Sequence, residues 1–181
     1  MSRKLILDLD TGIDDALALA YALGSEDAEL IGVTCTFGNV TVPQSVRNTL
    51  AILQLFGCTD VPVFAGPDHA RAKDSFSVQE ISAFIHGKNG IGEVEIPDAT
   101  RGVEDTSAVE FLIDSVNAYG DDLVVVPTGP STTIAAAVEA SEDFRKKAHI
   151  VMMGGALTVP GNVTALSLIH ISEPTRLRRI S

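Results

Sequence analysis

A regular alternation of short apolar runs with longer helical stretches leaves this chain few folds to choose from. Residues 5–9 (LILDL) form a short apolar run that ends in acid, which predicts a buried strand. Residues 14–23 (DDALALAYAL) are apolar on nearly every face, with acids in the first turn and Gly24 as the expected stop, so a buried helix follows. Residues 30–37 (LIGVTCTF) are rich in β-branched side chains and close on Gly38-Asn39, a second strand. Residues 44–56 show helical spacing at Val46, Leu50, Leu53 and Phe56, and residues 61–65 predict a third strand.

Residues 68–103 differ. They are polar, hold Gly87, Gly90, Gly92 and Gly102, and show periodicity only over 78–85, where a short helix is expected. The rest of that stretch reads as a long surface loop, a kind of segment that is often functional in a compact domain. The alternation then resumes with a helix over 108–118, a strand over 123–126, a helix over 132–140 capped by Ser131, and a strand over 149–153 closed by Gly154-Gly155. Such an order predicts the α/β class, with a mostly parallel, Rossmann-like sheet and helices on both faces.

Charge and composition narrow the partners. The 181 residues carry a net charge of −11, which disfavours nucleic acid and anionic membrane. Aromatics are 5% and Trp is absent, so a stacking platform for bases is not expected. No run approaches the ~18 apolar residues of a membrane span. Cys35 and Cys58 make neither a disulfide framework nor a CxxC motif, and Asp8 interrupts the apolar run near the start too early for a signal peptide. A cytoplasmic location is the expectation.

The chemistry concentrates in D-L-D-T-G-I-D-D, which places Asp8, Asp10, Asp14 and Asp15 within eight residues. Asp8 and Asp10 share one face at the carboxyl end of the first strand, and Asp14 and Asp15 open the next helix. In open α/β sheets, ligands sit beyond the carboxyl ends of the strands. Gly12 lets backbone come close to such a ligand. Four carboxylates so close either stay partly protonated or share a cation, and an all-oxygen cluster selects Ca²⁺ or Mg²⁺ over zinc. The bland alternative is that Asp14 and Asp15 merely favour the positive end of a helix while Asp8 and Asp10 are solvated. An EF-hand loop from Asp8 fails, because Ile13 and Leu19 stand where it needs Gly and Glu. A haloacid-dehalogenase phosphatase motif matches less well, because Gly12 stands where Thr or Val is wanted. The dinucleotide fingerprint is absent.

D-L-D-T-G-I-D-D-A-L-A resembles the amino-terminal motif of the nucleoside hydrolases, the inosine-uridine preferring N-ribohydrolase family. Later segments agree in order. Phe37-Gly38-Asn39-Val40 is similar to the family's Gly-Asn turn, and His86-Gly-Lys-Asn-Gly-Ile-Gly92 to its H-G-x-[DN]-G-[LIM]-G loop. Val126-Pro-Thr128-Gly-Pro with Thr132-Thr-Ile-Ala resembles its T-G-x-[LS]-T-[NT]-I-A segment, and Met153-Gly-Gly with Gly161-Asn162 its M-G-G…G-N segment. Thr11 is a departure, since many members have Pro there, and it should alter turn stiffness more than chemistry.

The resemblance implies hydrolysis of the N-glycosidic bond of ribonucleosides to free base and ribose. It implies that Asp10 and Asp15 bind Ca²⁺ with the backbone carbonyl of Thr128, and that Asp10 takes the proton of the calcium-bound water. Asp14 and Asn39 would hold the sugar, Asn162 would reach its 5′ side, Met153 would line the pocket, and Asp8 would support from behind. His86 is either a surface residue without a role or the proton donor to the leaving base. The implied partners are a ribonucleoside and, for a full-length parent, further copies of the same chain. Two other readings stay open: a Mg²⁺-dependent phosphatase with Asp8 as nucleophile, and a nucleoside- or metal-binding protein without turnover.

Past Thr164 the motifs stop. Residues 165–181 hold Glu173 against Arg176, Arg178 and Arg179 and resemble a translated sequencing adapter. The expectation is a partial family domain over 1–164, truncated at its carboxyl end, a non-family tail over 165–181, and impaired activity in the piece itself.

Overall fold

A computed structural model of the chain describes residues 2–154. The elements are β1 (Arg3–Leu9), α1 (Ile13–Gly24), β2 (Ala28–Cys35), α2 (Val42–Leu55), β3 (Val63–Ala65), α3 (Glu80–His86), α4 (Ala108–Tyr119), β4 (Leu123–Pro127), α5 (Thr132–Ala140) and α6 (Glu142–Lys147). The four strands form one sheet in the order β3-β2-β1-β4, and every pairing is parallel. This is the expected α/β architecture.

Both faces of the sheet are covered, because side chains alternate along each strand. Leu7, Leu9 and Val33 pack with Leu19 of α1 and Ile52 and Leu53 of α2. Ile6 and Val125 pack on the opposite side with Leu112 and Val116 of α4, Ile134 of α5 and Phe144 of α6. From β1 the chain winds outward through β2 to β3, then crosses back to place β4 on the other side of β1. The direction of winding therefore reverses between β1 and β4, and a crevice opens at the carboxyl ends of those two strands. Among the described residues, no helix is long and apolar enough to cross a membrane.

α1 does stop at Gly24, which is its last helical residue, and extended Ser25 follows as the cap, its N–H donating to Ala22 O. Several other local expectations change. Ser131 precedes α5, but its hydroxyl makes no capping bond, because its backbone (φ −76°, ψ 21°) lacks the extended cap geometry. The helix expected over 78–85 runs from Glu80 to His86 and so takes in the His of the glycine-rich loop. A short helix absent from the expected order, α6, follows α5; Ser141 caps it through Phe144 N–H, it buries Phe144, and Arg145, Lys146 and Lys147 form its last turn. The strand expected over 149–153 is reduced to one parallel bridge, Val125 to Ile150. Three backbone bonds still hold it beside β4, including Met153 N–H to Pro127 O at 3.0 Å.

One glycine fixes how α4 meets the sheet. Gly32 lies opposite Ile6, where the β1–β2 register shifts, and a Cβ on it would fall 2.5 Å from Phe111 Cζ of α4. Phe111 is itself stacked on Phe64, with ring centroids 3.9 Å apart, so it has little room to yield. Gly32→Ala is expected to destabilise the chain by about 1–3 kcal/mol, read as a lower urea midpoint at unchanged m-value.

Candidate active site

The acidic motif lies at the reversal of winding. β1 ends at Leu9, and Asp10, Thr11 and Gly12 form the turn into α1. Asp10 and Thr11 are fully buried and Asp15 nearly so. Asp15 reaches back from the first turn of α1, where its Oδ2 accepts Gly12 N–H at 2.8 Å and so fills the role of a capping-box acid. Its Oδ1 accepts the hydroxyl of Thr128 at 2.7 Å, just past the end of β4. One carboxyl thus spans the crevice from the β1 side to the β4 side. Thr128 N–H also donates to Asp8 O at 2.9 Å, which continues the β1–β4 ladder into the site.

Asp10 is walled in by backbone. Its Oδ2 accepts Asn39 N–H at 2.6 Å. A Cβ on Gly38 would fall 2.1 Å from Asp10 Oδ2, and one on Gly129 would fall 2.9 Å from Asp10 Oδ1. Only glycine lets the chain pass so close on both sides. Gly12 does the same for three other groups, since its missing Cβ would meet Asn39 Nδ2 at 2.6 Å, His86 Nδ1 at 2.7 Å and Asp14 Oδ1 at 2.9 Å. Asn39, His86 and Asp14 therefore converge over this turn. Asn39 is buried, and among the described residues neither its side-chain oxygen nor its nitrogen has a hydrogen-bond partner.

His86 is not a surface residue. It is 5% exposed, its Nδ1 accepts Ile13 N–H at 3.2 Å, and the same nitrogen stands 3.7 Å from Asp14 Oδ1. As an acceptor, Nδ1 leaves the proton of the neutral ring on Nε2. Asp14 is half-exposed, so it is the acid of the four most open to solvent. Asp8 points elsewhere: its Oδ1 accepts the Thr34 hydroxyl at 2.6 Å, and its carboxyl is fully buried. A phosphatase nucleophile at Asp8 would have no path to substrate, so that reading fails on access. Met153 is held beside Pro127, next to Thr128, and is partly buried. Asn162 lies outside the described residues, as does the segment 165–181.

Burial dominates the electrostatics. It pushes the Asp8 carboxyl up to about 7, against the Thr34 bond, which lowers it. Burial raises Asp10 as well, against the Asn39 N–H, with Asp14 adding repulsion. It raises Asp15 too, and there the charge of Asp10 is the next largest cause. A hydrogen bond from Asp15 in turn favours the charge on Asp10, so the two buried acids act as a pair, of the kind that a shared proton or a cation holds together. Among the described residues, no three His, Cys, Asp or Glu side chains are placed to hold one metal ion. The donor set on hand is Asp10 and Asp15, with Thr128 beside them. All are oxygen donors, which fits a hard cation whose remaining positions are filled from outside this set.

Some contributors escaped the sequence reading. Thr34, Thr36 and Thr133 bring buried hydroxyls around Asp8 and Asp10, and Gly129 makes the close approach on the β4 side. The T-C-T alternation at the end of β2 was the available signal for the first two, since polar residues on one face of a buried strand need a polar neighbour.

A family model described as inosine-uridine preferring nucleoside hydrolase matches residues 5–169. The chain belongs to the nucleoside hydrolase family. The match runs five residues into the segment set apart by its sequence pattern. Among curated nucleoside hydrolases, uridine nucleosidase 1 of Arabidopsis thaliana is 37% identical over 170 residues, 93% of this chain and 50% of that protein. A pyrimidine-specific ribonucleoside hydrolase, RihA, of Escherichia coli is 31% identical over 94% of this chain and 54% of its own length. The solved purine-preferring ribonucleoside hydrolase from Gardnerella vaginalis superposes with a TM-score of 0.88 at 61% identity, covering 90% of this chain and 52% of that one. The chain thus spans about half the length of these nucleoside hydrolases.

The buried acids predict a pH dependence of stability. A carboxyl whose folded pKa lies above its unfolded value favours folding most when protonated, and that contribution is lost as pH rises through the folded pKa. With a chelator present, the melting temperature is expected to fall as pH climbs from about 4 through about 7, the value for Asp8. Asp10 and Asp15 add to the fall. A melting temperature that rises steadily across this window would contradict the assignment of burial as the cause.

Proposed function

We propose that the full-length protein to which this chain belongs hydrolyses the N-glycosidic bond of ribonucleosides, with Ca²⁺ held by Asp10, Asp15 and the backbone carbonyl of Thr128. The observation that carries this reading is the paired burial of Asp10 and Asp15 at the β1–β4 crevice, beside a half-exposed Asp14 and an Asn39 amide that has no partner among the described residues. A bound divalent cation there supplies Lewis acidity and lowers the pKa of water to a range where a carboxylate can deprotonate it.

The chain's own residues then divide the work. Asp10 takes a proton from the attacking water as the C1′–N bond breaks and a C1′–O bond forms. The sugar becomes cationic in the transition state, as in other glycoside hydrolyses, and the acids around Gly12 stabilise that charge. Asp14 and Asn39 are the groups at the mouth able to hold ribose hydroxyls, one as acceptor and one as donor and acceptor. His86 carries on Nε2 the proton that a departing base can take. Met153 gives an apolar wall, Asp8 braces the strand end from behind, and Asn162 is assigned to the 5′ side of the ribose. The relatives include uridine, pyrimidine-specific and purine-preferring hydrolases, so the proposed substrate class is the ribonucleoside and not one base.

The test is base release by the full-length protein over several ribonucleosides, with and without chelator. Asp10→Asn is expected to lower the rate by roughly 10²–10⁴, and chelation is expected to stop release until calcium is restored. Base release indifferent to both changes sinks the mechanism. Calorimetric binding of nucleosides with no release sinks the enzymatic reading and leaves a binding protein.

A further inference from the structure

One face of α2 is polar where it should be apolar. Ser45, Asn48 and Thr49 are fully buried at i, i+3 and i+4, the spacing that puts side chains on one stripe. The hydroxyls of Ser45 and Thr49 lie 3.0 and 2.7 Å from Thr11 Oγ1, and Ser45 Oγ also donates to Leu9 O at 3.1 Å. Thr11, which stands where many family members carry Pro, is thus tied by hydroxyls to α2.

Asn48 does something different from its neighbours. Its Nδ2 donates to Thr11 O at 3.3 Å and to Asn89 O at 2.8 Å, while its Oδ1 accepts Gln44 Nε2–H at 2.8 Å. Thr11 lies between Asp10 and Gly12. Asn89 belongs to the glycine-rich loop after His86, a loop braced by Gly92 N–H to His86 O and by the Asn89 side chain, which accepts Ile91 N–H and Glu93 N–H. Gly90 has φ +83°, and a Cβ there would fall 2.5 Å from Val40 Cγ1 and 3.1 Å from Asn48 Nδ2. The loop is therefore built to come down onto this amide. A second tie joins the same two segments, the Ile13 N–H to His86 Nδ1 bond.

We propose that Asn48 is a positioning residue whose side-chain amide binds the acidic turn and the glycine-rich loop into one cooperative unit. The two backbone carbonyls it holds fix where Asp10 stands relative to His86. The functional meaning rests on the reading of the turn as the metal and ribose site; the structural part can be tested without metal.

The test is amide hydrogen exchange on the metal-free chain, followed residue by residue by NMR. Asn48→Leu keeps the volume and removes both donors. The amides of Gly12, Ile13, Gly90 and Gly92 are each hydrogen-bonded in the structure and are expected to exchange at least ~10-fold faster in parallel. The amides of Val33 and Val125 should not change, and Gln44→Ala should alter neither segment by more than about two-fold. Acceleration in one segment alone, or uniform acceleration through the sheet, overturns the proposal. Wild-type protein in low denaturant reads it independently of whether Asn48→Leu folds. One shared opening free energy for both segments is expected, and two distinct values overturn it. Calcium titration is scored separately, so failure of the metal reading remains distinguishable from failure of the coupling.

Discussion

Everything at the crevice follows from placing two like-charged acids where water cannot reach them. Asp10 and Asp15 are buried together; the charge of Asp10 makes Asp15 harder to ionise, while a hydrogen bond from Asp15 favours the charge on Asp10. An isolated buried charge costs several kcal/mol even after relaxation, so the fold surrounds the pair with donors. Asn39 N–H and Gly12 N–H serve as backbone donors, and the Thr128 hydroxyl comes from the far strand. These bonds hold the carboxyls in place without neutralising them. The result is an anionic nook of oxygen donors, which suits a hard cation.

Glycine is what makes the nook tight. Gly38 and Gly129 approach Asp10 from opposite sides, and Gly12 lies beneath Asn39, His86 and Asp14. At each position a methyl group would meet Asp10 or one of the side chains converging on the acidic turn, and not merely a neighbour in the core. The geometry of the turn is therefore specified as much by missing side chains as by present ones.

Much of this was legible in the residues. The strand–helix alternation gave the sheet and its two covered faces, because burial on both sides leaves short β-branched runs that periodicity can find. The acid cluster could be placed at a strand end for the same reason. What could not be read was anything set by distance across the fold. His86 was left between two roles, because its burial depends on how α3 packs over Gly12, about 70 positions away in sequence. Nothing in the sequence sets Asn48 apart from other polar residues. Its meaning comes from two carbonyls that the spacing of α2 cannot reveal. The reduced edge at 149–153 shows the converse, since an apolar run predicts a strand but cannot show how much of it pairs.

The bond from Asp15 to Thr128 joins positions separated by 113 residues, and the ladder beside it spans 120. Closing so long a loop carries an entropic toll that is recovered only when the far strand docks. During synthesis the aspartates therefore emerge long before the hydroxyl that will restrain them. Until β4 arrives, β1 has an open flank. Docking of the Thr128 hydroxyl onto Asp15 is thus a late event in the maturation of this polypeptide, timed by the appearance of its fourth strand.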